Sequence, residues 1–562
     1  MPRNLLLPWL DGRVTRIRPG RDRRAEAHLP APGRPDPEHL PVRPRVVVVG
    51  GGIAGLAAAV GLVERGVEVV LLEREAQLGG RVSGWPTTLR DGSPVTMSRG
   101  FHAFFRQYYN LRALLRRADP LLEALTPLPD YPLRDGRGRT DTFADLPRTP
   151  PWNALAFVAR SPTFTWRDLL RVDPRAALPL LDAGVPDVYH RLDEVDAVTF
   201  LERIRFPHAA RHLAFEVFSR SFFADPQQLS AAELATMFHI YFLGSAEGLV
   251  FDVPADPFPH ALWDPLARYL ARRGARLRTS AEVTVIEPGG PRRFLVHLRP
   301  AGGGTETEVA DAVVLAVDVG GLRRLVDASP DLGTEPWRAT IRRLSTAPPF
   351  LVLRLWLDRP VRHDRPGFLG TSGHGPLDNV SVLERYEHEA RAWAARRRGS
   401  VVELHAYALP DNVDPQWVRA ELVHQLHRVY PETRSAGIVD ERAELRADCP
   451  LFPPGSFRHR PPVVTPDPYL VLAGDLTRVD LPVALMERAA TSGFLAANTL
   501  LHRWGIRGHL LWSVPTRGRL ALGRFLVGRY ARLDAVGRDG TSGRAGAADE
   551  VQPGQRPVLR SS

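Results

Sequence analysis

Apolar residues run unbroken through Arg45-Val-Val-Val-Val-Gly50 and stop at three glycines, Gly50, Gly52 and Gly55, spaced G-x-G-x-x-G. A continuous β-branched run of this length predicts a strand buried on both faces. The small apolar residues from Leu56 to Val63 predict a helix, and Val67 to Leu72 a second buried strand ending at Glu73. Strand, glycine turn, helix, strand and acid in this register make a βαβ dinucleotide-binding unit. Gly50 supplies the tight turn. Gly52 lets the backbone approach a pyrophosphate, which rests on the helix-start N–H groups around Ala54 and Gly55. Glu73 can accept hydrogen bonds from a ribose hydroxyl.

The rest of the chain alternates between this pattern and another. Leu266, Leu270 and the Gly274 stop predict a helix; Ala275–Thr279, Val283–Ile286 and Ala312–Val317 predict strands. Tyr469 to Gly474 reads as a buried strand ending in Gly474-Asp475, and Val483 to Leu501, with Glu487, Ser492 and Gly493, as an Ala-rich helix. From about residue 101 to 260 aromatics rise and helical periodicity alternates with loops such as Leu146-Pro-Arg-Thr-Pro-Pro151. Pro348 to Leu357 predicts a long strand. The expected organisation is a discontinuous nucleotide domain (45–100, 262–329 and 455–505) with an interleaved α+β substrate domain (101–261 and 330–454). Residues 1–44 and 534–562 are expected to be disordered, and 506–533 to form a membrane-associated helix.

Composition narrows the function. The chain of 562 residues is 44% hydrophobic, as in a soluble globular enzyme of two connected domains. No apolar run reaches the roughly 18 residues a spanning helix needs, and residues 1–45 lack the core and cleavage site of a signal peptide, so a cytoplasmic protein is expected. The net charge of +11 comes entirely from scattered arginines, which points to a GC-rich genome rather than a nucleic-acid function, with attraction to anionic lipid as a second reading. The absence of lysine excludes a side-chain Schiff base. A single cysteine, Cys449, excludes an internal disulfide and a cysteine-rich metal site; its options are a buried thiol or a covalent flavin link.

Glu73-Arg74-Glu75-Ala76-Gln77-Leu78-Gly79-Gly80-Arg81 resembles the second glycine turn of the FAD-binding amine oxidase and carotenoid desaturase superfamily. That resemblance implies a Rossmann-type α/β FAD-binding domain. In the superfamily the two glycines pass close to the flavin diphosphate and the arginine faces it. It also implies a backbone contact from Val283 near the adenine, a ribityl contact from Asp475 after Gly474, and a flavin neighbour in Gly100, which opens a G-x-H-x-F-F motif. Ser98-Arg-Gly-Phe-His-Ala-Phe-Phe-Arg-Gln-Tyr-Tyr-Asn-Leu-Arg112 is similar to the bacterial isorenieratene synthases, the carotenoid φ-ring synthases. So are Ala214 to Asp225 and Met237 to Gly244.

The activity this implies is FAD-dependent desaturation of the β-ionone rings of β-carotene with migration of one methyl group. A quaternary ring carbon cannot become aromatic unless a methyl leaves or moves, so an allylic cation is the expected intermediate. Aromatic faces within about 6 Å stabilise such a cation; Phe101, Phe104, Phe105, Tyr108 and Phe222 are candidates. His102 is the candidate base, against a purely structural hydrogen bond. The substrate would come from a bilayer through Leu5–Leu10 or the stretch from Leu510 to Tyr530, with oxygen or a quinone as electron acceptor. Rival readings are an acyclic phytoene, ζ-carotene or squalene-type desaturase, an amine oxidase, and a flavin-free lipid-binding protein of the same fold.

Overall fold

The computed structural model describes residues 19–519, apart from 164–165, 174, 182, 208–209 and 212–219. Along the chain, β1 (Glu26–His28) precedes β2 (Arg45–Val49), α1 (Ile53–Val63) and β3 (Glu68–Leu72). Helices α2 (Tyr109–Leu115), α3 (Trp152–Arg160), α4 (Trp166–Arg171) and α5 (Ala231–Phe238) follow. Next come β4 (Arg276–Arg278), β5 (Ala281–Pro288), β6 (Ala312–Leu315), β7 (Phe350–Leu357), β8 (Asn379–Val382) and β9 (Ser400–Ala406). The series ends with α6 (Pro415–Val429), β10 (Leu470–Leu472), α7 (Leu485–Arg503) and β11 (Leu511–Ser513).

Strands β4, β3, β2, β6 and β10 form a five-stranded sheet in that order, every pair parallel. Val46 to Val49 have neighbours on both faces, which is why they read as an unbroken valine run. Helices α1 and α7 pack on one face through residues too small to hold them apart. A Cβ on Gly493 would stand 2.2 Å from the Ala54 carbonyl oxygen, and one on Gly61 2.8 Å from the Ala497 Cβ.

The second sheet has seven strands, of which β7, β9 and β8 are the second to fourth. Period-two alternation divides its residues. Leu351, Leu353, Leu355, Val402, Leu404 and Ala406 pack with Val418, Leu422 and Leu426 of α6. The opposite face carries two rows in register, Arg354–Glu403–Ser381 and Val352–His405–Asn379, polar at every position but Val352.

Two terminal expectations need correction. Residues 19–44 are not a free arm: β1 pairs antiparallel with β11, Ala27 opposite Trp512, and Asp22 is fully buried in an ion pair with Arg519. The described part of 506–533 is not a helix. Leu511 and Trp512, inside that expected helix, are buried in β11, and Pro515 just beyond cannot donate a backbone hydrogen bond. Leu5–Leu10 and residues 520–562 lie outside the described residues. Among the described residues no helix is long and apolar enough to cross a membrane.

Candidate active site

A cavity of about 1240 Å³ opens at the carboxyl ends of β2, β3 and β6 and runs beneath the polar face of the seven-stranded sheet. Ligands of open parallel sheets bind in this position, outside the strand ends. At its floor α1 begins at Gly52 with no side-chain cap and no acidic residue in its first turn. The first N–H groups of a helix have no partner within it, so they and the positive end of the dipole face the cavity. Gly52 meets Gly79 in a backbone bridge, and a Cβ on Gly52 would find only the Gly80 Cα, at 3.8 Å. Two glycine turns therefore leave a slot that a diphosphate can enter. Gly79 has φ +107, with the Trp263 indole against it.

Glu73 accepts from the N–H groups of Gly51 at 2.6 Å and Glu75 at 2.8 Å. Burial raises its pKa against those hydrogen bonds. Each oxygen keeps a second lone pair for a ribose hydroxyl. Arg74 lies at the rim beside Glu75 and Asp318. Ala54, Val283, Gly474 and Asp475 line the same cavity. Arg81 pairs with Asp475 at 2.5 Å, joining the second glycine turn to the end of β10. Cys449 also lines the cavity; burial pushes its thiol up to about 11, so it stays neutral at physiological pH. An uncapped helix start, an open slot, a carboxylate for ribose and a paired Arg–Asp fit a flavin dinucleotide.

Four of the expected site residues sit elsewhere. Gly55 does not line the cavity; it packs α1 on the turn at Gly50. Gly100 has φ +94 and is pressed on His405, where a Cβ would come within 2.5 Å of the imidazole. Phe104 is fully buried in the core and Phe222 packs edge-on to Phe452, so neither lines the cavity. The four aromatic and histidine candidates Phe101, His102, Phe105 and Tyr108 do line it. His102 Nδ1 lies 2.9 Å from the Gly100 carbonyl oxygen, and burial brings its pKa down to about 4.

The wall around these residues is more aromatic than the motif indicated. Tyr131, Phe223, Phe251, Phe368 and Tyr407 join Phe101 and Phe105 on it. Phe101 lies 4.3 Å from Phe368, and Phe105 5.3 Å from Phe251, between ring centroids. Tyr108 and Tyr241 share a hydroxyl hydrogen bond of 2.6 Å. His405, missed in the sequence, also lines the cavity. Its signal was the alternation Glu403-Leu-His405-Ala-Tyr407, which puts three polar groups on one strand face.

Comparison with known proteins accords with this geometry. Residues 53–501 match the family model of flavin-containing amine oxidoreductases. The carotenoid phi-ring synthase of Streptomyces griseus is 64% identical over 91% of this chain and 97% of its own length. That of Chlorobaculum tepidum is 27% identical over 86% of this chain and 92% of its own. Among solved structures, cyclohexylamine oxidase from Brevibacterium oxydans superposes with a TM-score of 0.58 at 15% identity, over 82% of this chain and all of that one.

Proposed function

The chain belongs to the flavin-containing amine oxidoreductase family, and we propose that it converts the β-ionone end rings of β-carotene to aromatic φ-rings, with desaturation and migration of one geminal methyl. The enzyme is an FAD-dependent oxidoreductase of carotenoid biosynthesis. The observation that carries the ring assignment is the near-full-length likeness to the S. griseus carotenoid phi-ring synthase. The aromatic wall is the chemistry such a reaction calls for.

FAD, when bound, supplies a two-electron hydride acceptor. Gly52, Gly80 and the start of α1 would hold its diphosphate, Glu73 its ribose, and Asp475, fixed by Arg81, its ribityl chain. The protein's own part is to surround the ring. The faces of Phe101, Phe105 and Tyr131 stabilise positive charge by about 0.5–2 kcal/mol each where they meet it. They also exclude water, which would otherwise trap the cation as an alcohol.

A hydrocarbon of forty carbons has to be collected from a bilayer. The exposed side chains of Trp152 and Leu155 on α3 and Leu170 on α4, helices that also carry Arg160 and Arg171, suit contact with an anionic membrane surface. The test of the reaction is expression in a host that accumulates β-carotene. A pigment with four hydrogens fewer per modified ring and all forty carbons supports the assignment. Unchanged β-carotene beside flavin-loaded enzyme refutes it.

A further inference from the structure

We propose that Tyr407, His405 and Glu403 form a proton relay that removes the ring proton released during aromatisation, with Tyr407 as the catalytic residue. The inference rests on the ring-forming reading above. Glu403 and His405 are alternate positions of β9 and Tyr407 follows directly after it, which puts the three side chains on one side of the strand, with His405 and Tyr407 lining the cavity.

The hydrogen bonds run in one direction. Glu403 is held by Arg354 through Nε at 2.9 Å and Nη2 at 2.7 Å. Arg354 is itself fixed by the Thr96 carbonyl and the Ser98 hydroxyl, each at 2.8 Å. The other Glu403 oxygen lies 2.9 Å from His405 Nε2, and His405 Nδ1 lies 2.7 Å from the Tyr407 hydroxyl. The Phe101 N–H also points at Nε2, but from 3.3 Å. The nearer carboxylate assigns the hydrogen to Nε2, leaving the Nδ1 lone pair to accept from Tyr407. Asn379 donates to the Tyr407 oxygen at 3.0 Å and turns the hydroxyl toward His405. A buried carboxylate, an oriented imidazole and a terminal hydroxyl repeat the logic by which a weak oxygen base is activated.

The proton balance is simple. After hydride loss to the flavin, a two-electron oxidant, the ring is an allylic cation. In the aromatising step a geminal methyl first moves with its electron pair to the adjacent cationic carbon; the C–H bond on that carbon then breaks and its electron pair completes the ring, which neutralises the cation. The proton goes to the Tyr407 oxygen as the tyrosine's own proton moves to His405 Nδ1. The imidazolium is then held by Glu403 until one proton leaves to solvent.

The groups around His405 favour this assignment over His102. Glu403 on its own strand and His102 from the flavin half act on it directly, Arg354 on β7 and Glu387 beyond Tyr386 act through Glu403, and Asp378 beside β8 donates its N–H to the His405 carbonyl. Although burial pushes the Glu403 carboxyl up, Arg354 and His405 bring it down to about 2, so it faces the imidazole as an anion. His102, held down to about 4, retains a captured proton poorly at neutral pH.

The test uses the full-length, FAD-loaded enzyme with β-carotene in phosphatidylcholine vesicles, comparing wild type with Tyr407→Phe and His405→Gln. Tyr407→Phe removes one hydroxyl, so flavin content should stay at the wild-type value and the melting temperature within a few degrees of it. Its turnover should fall about 100-fold, the scale of a lost general base. In His405→Gln the solvent deuterium isotope effect on turnover should be lost, a change that a packing role would not cause. If His405→Gln does not fold, Tyr407→Phe decides alone. An active wild type with an unimpaired Tyr407→Phe overturns the relay only. A flavin-loaded wild type that leaves β-carotene unchanged overturns the ring reading and the relay with it.

Discussion

A Cβ placed on Gly55 would lie 1.9 Å from the carbonyl oxygen of Gly50, whereas one placed on Gly52 meets nothing closer than 3.8 Å. The two glycines of one motif thus serve different ends. Gly55→Ala should unfold or strongly destabilise the nucleotide domain, because α1 must then lift off the turn. Gly52→Ala should leave the melting temperature of the flavin-free protein within a few degrees of wild type while weakening FAD binding at least 10-fold, since the methyl occupies the slot. Thermal melts of apoprotein and flavin titration separate the two effects. Equal loss of stability in both variants would contradict this division.

Stability should fall at both ends of the pH scale, for opposite reasons. Burial raises the Glu64 carboxyl, but the charges of Arg117 and His509 outweigh it and bring the pKa down to about 2. Its folded pKa lies below the unfolded one, so its contribution is present above about pH 4.5 and is lost as pH falls toward 2. The linked free energy is on the order of 3 kcal/mol. Glu487 is the converse. It accepts from the N–H groups of Asn110 and Leu111 at the start of α2, yet burial pushes it up to about 8. Its contribution is present below about pH 4.5 and declines as pH rises through 8. Urea unfolding across pH should show both limbs, with the acid limb reduced in Glu64→Gln and the alkaline limb in Glu487→Gln.

The proposed membrane attachment through α3 and α4 has a direct readout. Trp152 is 63% exposed and Leu170 86%, far more than large apolar side chains usually are. Trp152→Glu combined with Leu170→Glu should cut binding to anionic vesicles at least 10-fold and leave flavin binding unchanged. Unaltered co-sedimentation would place the lipid contact elsewhere.

The dinucleotide half was legible because its signals are local. Val46–Val49, the glycines and Glu73 sit in consecutive elements, and a strand buried on both faces writes itself as an unbroken apolar run. The reacting end of the cavity was not. Arg354 meets Glu403 from another strand, and Phe101 meets His405 across 304 positions of sequence. Phe251 and Phe368 come from different sheets, and each alone looks like an ordinary core aromatic. The 506–519 segment misled for the same reason. Its strand partner is Glu26–His28, almost the full length of the chain away, and leucines beside arginines read equally well as a helix when that partner is unseen.

The most direct test of the central claim is β-carotene carrying ¹³C in one geminal ring methyl, converted by the purified enzyme and read by NMR and mass spectrometry. Methyl migration requires all label to remain in the product, in a methyl attached to an aromatic carbon. Loss of the labelled carbon would mean aromatisation by demethylation, and label still on a quaternary carbon would mean that no aromatic ring had formed; either contradicts the account.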